Sequence, residues 1–205
     1  TFERKIEKYF GEKRAILVNS WTSGLIAAVG ALDIEPGDEI ITAPWTMCAS
    51  ATAILHWNCI PVFADVEPDT FCIDPVSVES LITKKTKAIM SIDIAGQSAD
   101  MKKIKKIAKK YKLKLIEDCA HAIEAKYNNI HTGNFGDVGC FSFYSTKNLT
   151  TVEGGMITTN NSKISDLARI MRIHGLSKDA WKRDLQVKEK SDHFKHYDVK
   201  EIGYK

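Results

Sequence analysis

Short runs of apolar, β-branched residues alternate along this chain with longer stretches in which apolar residues recur every three or four positions. The first pattern predicts buried strands and the second amphipathic helices. "RAILVNS" predicts a strand and "SGLIAAVGALDI" a helix, followed by "PGDEIITAP" as turn and strand and "TMCASATAILHW" as helix. "CIPVFADV" reads as the next strand, and "IDPVSVESLIT" as a helix with Asp74 as N-cap and Pro75 at the first helical position. After the strand "TKAIMSIDI", the segment "ADMKKIKKIAKKYK" puts Met101, Ile104, Ala108 and Tyr111 on one helical face and its lysines on the other. The strand "LKLIED" follows.

This alternation implies an α/β fold, a mainly parallel sheet with helices on both faces. Such sheets bind ligands at the C-terminal ends of their strands. Asp118 closes "LKLIED" and therefore stands where function is expected.

With 205 residues, 44% of them hydrophobic, the chain can bury a substantial core. Its 29 basic and 26 acidic residues are interspersed and leave a net charge of +3, too weak a field to hold nucleic acid. The lysines from Lys102 to Lys112 read as the solvated face of a crossover helix, since the apolar face lacks the width and aromatics of a membrane-surface helix. No apolar run is long enough to span a membrane, and the N-terminus opens on charge and helical periodicity unlike a signal peptide. The five cysteines, Cys48, Cys59, Cys72, Cys119 and Cys140, form no C-x-x-C pair and predict free thiols in a reducing, cytoplasmic setting. From Ser177 the chain turns dense in both charges and poor in aliphatics, which predicts an exposed linker over 177–205 after a domain over 1–176. His193 and His196 in that stretch have no third ligand in view, so no metal site is expected.

Three features can carry chemistry. Lys147 is solitary among serines and threonines in "CFSFYSTKNLTTVEGGMITT", between two strand-like runs. A surface lysine on a loop and a partly desolvated amine able to attack a carbonyl both account for it. Asp118 is followed three residues later by His121, close enough in chain to share one cavity, although such pairs often only satisfy each other. "NSWTSGL", between a strand and a helix, offers first-turn amides and the hydroxyls of Ser20, Thr22 and Ser23 to a phosphate, or equally an ordinary N-cap. A lysine, a buried carboxylate and a phosphate cup are together what a pyridoxal cofactor requires.

Several segments resemble, in order, the sugar aminotransferases of the DegT/DnrJ/EryC1/StrS family, pyridoxal-phosphate enzymes of fold type I. They are "PGDEIITAPWTMCASATAI", "IPVFADVEPDTFCIDP", "TKAIMSIDIAGQSADM", "IEDCAHAIEAKY", "GDVGCFSFYSTKNLTTVEGGMITTN" and "IHG". The resemblance implies that Lys147 forms the Schiff base with pyridoxal 5'-phosphate and Asp118 partners the pyridine nitrogen. It further implies that His121 lies against the ring near its phenolic oxygen, that Ser142, Thr22 and Ser23 hold the phosphate, and that Met47 covers a ring face where an aromatic is common. The reaction so implied moves an amino group from glutamate to a nucleotide-linked keto-sugar, in a homodimer, with a smaller C-terminal domain beyond Lys205. Sugar dehydratases on the same scaffold replace the lysine, which sets them behind; a non-catalytic, regulatory member of the fold is the other alternative. The chain departs from the family at Trp21, where a small glycine is usual, at Met47, at Asp93 and Ala95 in place of His and Tyr, and at Val152 in place of Gly.

Overall fold

The computed structural model describes residues 1–11, 14–176, 200 and 202–203. His193, His196 and nearly all of the linker predicted over 177–205 lie outside the described residues. The elements run α1 (Phe2–Phe10), β1 (Arg14–Val18), α2 (Trp21–Gly30), β2 (Glu39–Thr42), α3 (Cys48–Leu55), β3 (Ile60–Phe63), α4 (Pro75–Ser80) and β4 (Thr86–Ile92). They continue with α5 (Met101–Tyr111), β5 (Lys114–Asp118), the short β6 (Lys126–Tyr127) and β7 (Ile130–His131), β8 (Val138–Ser142), β9 (Gly155–Thr159) and α6 (Ser162–Met171).

Seven strands form one sheet in the order β1-β9-β8-β5-β4-β2-β3. The pairs β2 with β3, β2 with β4, β4 with β5 and β5 with β8 are parallel, whereas β9 runs antiparallel to both β8 and β1. The sheet is thus mixed and dominated by parallel strands.

The period-2 alternation of strand side chains sorts the core into two layers. Ile16, Ile40, Ala88, Met90, Ile116, Val138, Cys140 and Ile157 face α2, α3 and α6 and pack with Leu25, Ile54 and Ala168. Their neighbours Ile41, Ile89 and Leu115 face the opposite way, against Val78 of α4 and Met101, Ile104 and Ile107 of α5. On that same side Phe141 and Met156 meet Ile6 and Phe10 of α1. Each fully buried Leu, Ile or Phe contributes roughly 1.5–3 kcal/mol by leaving water.

Local signals account for the element ends. The Asp74 carboxylate accepts the amides of Val76 and Ser77 with Pro75 at the helix start, as predicted. In α5 the buried face is Met101, Ile104, Ile107 and Ala108. Tyr111, predicted on that face, sits on the last turn with its ring exposed, because its hydroxyl donates to Glu79 at the surface. Helix α2 begins at Trp21, two residues before the predicted start, because Ser20 is the residue whose side chain caps it.

Candidate active site

The strand ends of β4, β5 and β8 open into a cavity of about 550 Å³, lined among others by Ser20, Trp21, Thr22, Thr46, Met47, Asp93, Asp118, His121, Ser142 and Lys147. Six of the predicted site residues, Thr22, Met47, Asp118, His121, Ser142 and Lys147, therefore meet around one space. Ser23 does not line it. Its amide donates to Ser20 Oγ at 3.1 Å and its hydroxyl lies 2.9 Å from the same oxygen, so Ser23 completes the cap of α2. The amides of Trp21 and Thr22, at the first two helical positions, stand outside the intrahelical ladder and at the positive end of the helix dipole.

Asp118 ends β5 on the face turned to α2 and α3. Its Oδ1 accepts the indole Nε1–H of Trp21 at 3.0 Å and the amide of Ala120 at 3.2 Å. Its Oδ2 accepts the hydroxyl of Ser50 at 2.8 Å. The Ser50 proton is committed to the carboxylate, so Thr46 Oγ1, 2.8 Å from Ser50 Oγ, is the donor of that second bond. Burial pushes the Asp118 carboxyl up to about 6, although the Ser50, Ala120 and Trp21 donors and the charge of Lys147 all pull it down.

Lys147 sits on the loop between β8 and β9. Its amide donates to the Tyr144 carbonyl, while Thr151 N and Thr150 Oγ1 both donate to the Phe143 carbonyl and tie off the loop base. Burial lowers the pKa of its ammonium from the ordinary lysine range, and the Asp118 charge opposes that shift. The loop carries Val152 at φ +71°, a left-handed conformation that a β-branched side chain adopts only under strain. The glycine usual there in the resembling family has a physical reason.

His121 Nδ1 accepts the amide of Ala95 at 3.2 Å. In the neutral ring the proton is therefore on Nε2, which is left as a donor. Burial and the charge of Lys147 push the His121 imidazole toward that neutral form. Ser142, at the end of β8, is buried and accepts the Tyr144 amide at 3.3 Å. Met47 is exposed at the start of α3, on the cavity wall.

A second acidic group reaches from the cavity wall at Asp93 into the interior. Asp93, Glu117 and Cys119 are buried with potential ligand atoms within 4.8 Å of one another. Glu117 accepts the amides of Gly133 at 2.8 Å, Phe135 at 2.7 Å and Gly136 at 2.6 Å. Asp93 accepts the Ala99 amide at 3.2 Å and the Cys119 thiol at 3.5 Å. These groups bond one another and the backbone, and so form a structural network.

Sequence reasoning missed Ser50 and Thr46, and it marked Trp21 only as a departure. Ser50 lies 68 residues from Asp118 in the chain, so no local motif joins them. A hydroxyl on the buried face of the helix "CASATAIL", among Ala49, Ala53 and Ile54, is the one signal that could have flagged it.

A profile of the DegT/DnrJ/EryC1/StrS aminotransferase family matches residues 1–203. GDP-perosamine synthase of Caulobacter vibrioides is 41% identical over 175 residues, 85% of this chain and 47% of that protein. Among solved structures, PseC of Helicobacter pylori, an aminotransferase involved in the biosynthesis of pseudoaminic acid, superposes with a TM-score of 0.88 at 34% identity, over 99% of this chain and 52% of that one. NtdA of Bacillus subtilis, with bound cofactor PMP, superposes with a TM-score of 0.84 at 30% identity, over 99% of this chain and 43% of that one. This chain spans about half the length of the curated relatives it matches. Profile, identity and superposition agree with the site geometry: the chain belongs to the DegT/DnrJ/EryC1/StrS aminotransferase family.

Proposed function

We propose that this chain is the cofactor-binding part of a transaminase that moves an amino group, taken from glutamate, onto a nucleotide-linked keto-sugar in amino-sugar biosynthesis. The observation that carries this reading is the pairing of Lys147 and Asp118 across one cavity, each with its proton affinity displaced by burial.

The donor set fits pyridoxal phosphate end to end. An amine stands ready for the aldehyde at Lys147, a buried carboxylate for the ring nitrogen at Asp118, and the first-turn amides of α2 with the Thr22 and Ser142 hydroxyls for the phosphate. The cavity volume lies within the usual range for small-molecule sites. When bound, the cofactor supplies an aldehyde that bonds to amines and a ring that delocalises the electron pair released at the adjacent carbon.

The chain's own residues do the rest. Lys147 Nζ, partly desolvated, holds less tightly to its proton, so it would hold the cofactor through its aldehyde and, when free, could carry a proton to and from the substrate carbon. Asp118 would hold the ring nitrogen in its protonated form, the form in which the ring serves as an electron sink. His121, with its proton on Nε2, would donate to the cofactor, and Met47 would offer it a polarizable sulfur.

GDP-perosamine synthase and the aminotransferase PseC among the relatives support the sugar substrate. The exposed aromatic rim at Trp45 and Phe71, whose rings lie 5.8 Å apart, together with exposed Met47, supports completion of the site by a second copy in a homodimer. No helix among the described residues is long and apolar enough to cross a membrane, and the free cysteines support a cytoplasmic, reducing setting. Residues 1–176 form the large domain in this reading, with 177–205 leading toward a smaller one.

The test is an absorbance spectrum of the protein with pyridoxal phosphate, before and after glutamate. A visible band that glutamate bleaches, and that Lys147→Ala lacks, is expected. A band that persists in Lys147→Ala, or that glutamate leaves untouched, contradicts the reading.

A further inference from the structure

Trp21 departs from the family's glycine and lines the cavity beside the phosphate cup. It packs on the core beneath the cavity and aims its indole N–H at Asp118 Oδ1. The backbone at Trp21 is clamped from behind. Gly155, in the "EGG" run, lies so close that a Cβ there would fall 2.6 Å from Trp21 N and 2.8 Å from Trp21 Cα. The backbone that carries the indole is therefore packed directly on strand β9, at a place where any side chain on residue 155 would collide.

A carboxylate has about four acceptor sites, two on each oxygen. Oδ1 of Asp118 has both of its sites filled, by Trp21 and by Ala120. Oδ2 has one filled, by Ser50. One acceptor site is left, and it is on Oδ2.

We infer that Trp21 is a positioning residue for Asp118: its indole N–H, with Ser50 on the other oxygen, orients the carboxylate so that Oδ2 presents its open acceptor site to the protonated ring nitrogen of the cofactor. The inference rests on the pyridoxal-phosphate reading above and deepens it. An indole N–H donates and never accepts. Trp21 therefore favours the ionised carboxylate and leaves Ser50 and the cofactor on the side where a proton can reside.

The titratable groups around Asp118 are Lys147, His121, Asp93 at the end of β4, Glu117 and Cys119 on either side of it in the chain, and Cys140 on β8. A test must separate Asp118 from these. The indole N–H resonances of the protein provide it, with Trp21 identified by its loss in Trp21→Phe. Trp57, whose indole donates to the Ile26 carbonyl, serves as an internal control.

In the cofactor-free protein the Trp21 resonance is expected to move with a midpoint near 6, and Asp118→Asn to flatten that response while leaving the Trp57 resonance, beside His56, as in the wild type. Added pyridoxal phosphate should hold the Trp21 resonance at its alkaline position to lower pH, because the ring nitrogen keeps Asp118 ionised. Trp21→Phe should bind pyridoxal phosphate roughly tenfold more weakly, the loss of one hydrogen bond to a charged acceptor, and its binding should fail on the acid side at higher pH than in the wild type. A Trp21 resonance insensitive to pH overturns the inference. So does a Trp21→Phe protein that binds more weakly at every pH with no displacement of the acid limb, since that is the mark of a packing role alone. A titrating Trp21 resonance in a protein that shows no Lys147-dependent band overturns the cofactor reading itself, and the ring-nitrogen assignment with it.

Discussion

Glu117 and Asp118 are consecutive on β5 and both are buried, yet the alternation of the strand sends them to opposite faces of the sheet. Glu117 looks toward the loop that follows β7 and accepts three backbone amides there. Asp118 looks toward α2 and α3 and accepts two side-chain donors and a single amide. Burial raises the pKa of both carboxyls, to about 8 for Glu117 and about 6 for Asp118. Each carboxylate has three donors, two on one oxygen and one on the other; what separates them is where the donors come from and what the carboxylate faces. Glu117 takes all three from the backbone and holds the loop that leads into β8. Asp118 keeps an acceptor site and faces a cavity with Lys147, so its buried charge is available to a ligand.

Substitutions at the two positions should therefore fail differently. Asp118→Asn is expected to lower transaminase turnover at least 100-fold, about 3 kcal/mol of lost stabilisation by the tenfold rule for rates, with the protein still folded and no less stable than wild type. Assays of turnover and thermal unfolding on the same preparations check it. Glu117→Gln turns an acceptor into a donor against a backbone N–H, and should cost roughly 2–4 kcal/mol of stability. The folded fraction should keep its turnover. A Glu117→Gln protein of full stability, or one that loses turnover while fully folded, would erase the distinction between the two faces.

The pH dependence sharpens the same contrast. Asp118 is raised in the folded state, so it favours folding below its unfolded pKa and that contribution is lost as pH rises through about 6. Removing the charge in cofactor-free Asp118→Asn should thus shift relative stability in favour of the variant between pH 4 and pH 8, by roughly 2 kcal/mol. Melting curves across that range, with and without pyridoxal phosphate, measure it. Bound cofactor should abolish the shift, because the pairing with the ring nitrogen removes the penalty of ionisation.

The smallest effect concerns the loop that carries Lys147. Val152→Gly relieves a left-handed backbone conformation and should stabilise the protein by about 1 kcal/mol. Chemical denaturation of the two proteins decides it, and an unchanged or lower midpoint would show that the loop pays nothing for Val152.

The alternating pattern made the sheet, its helical layers and the Asp74 cap legible, because each depends on residues a few positions apart. The antiparallel pairing of β9 with β1 was not legible, since pairing across more than a hundred residues leaves no trace in local periodicity. Of the site, the family blocks marked Lys147, Asp118, His121 and Ser142, and the structure gathers them round one cavity. Ser23 carried the same hydroxyl as Thr22, and only the geometry of the cap distinguishes the residue that closes the helix from the one that faces the cavity. Trp21 read only as a departure from the family's glycine, because its size was visible in the sequence and its direction was not.

The central claim is that Lys147 is the amine that bonds the cofactor. Borohydride reduction of the protein in pyridoxal phosphate, followed by peptide mass mapping, tests it most directly. One pyridoxyl group per chain, on the peptide that contains Lys147, is the result this account predicts. Labelling spread over exposed lysines such as Lys102 to Lys112, with Lys147 unmodified, would contradict it.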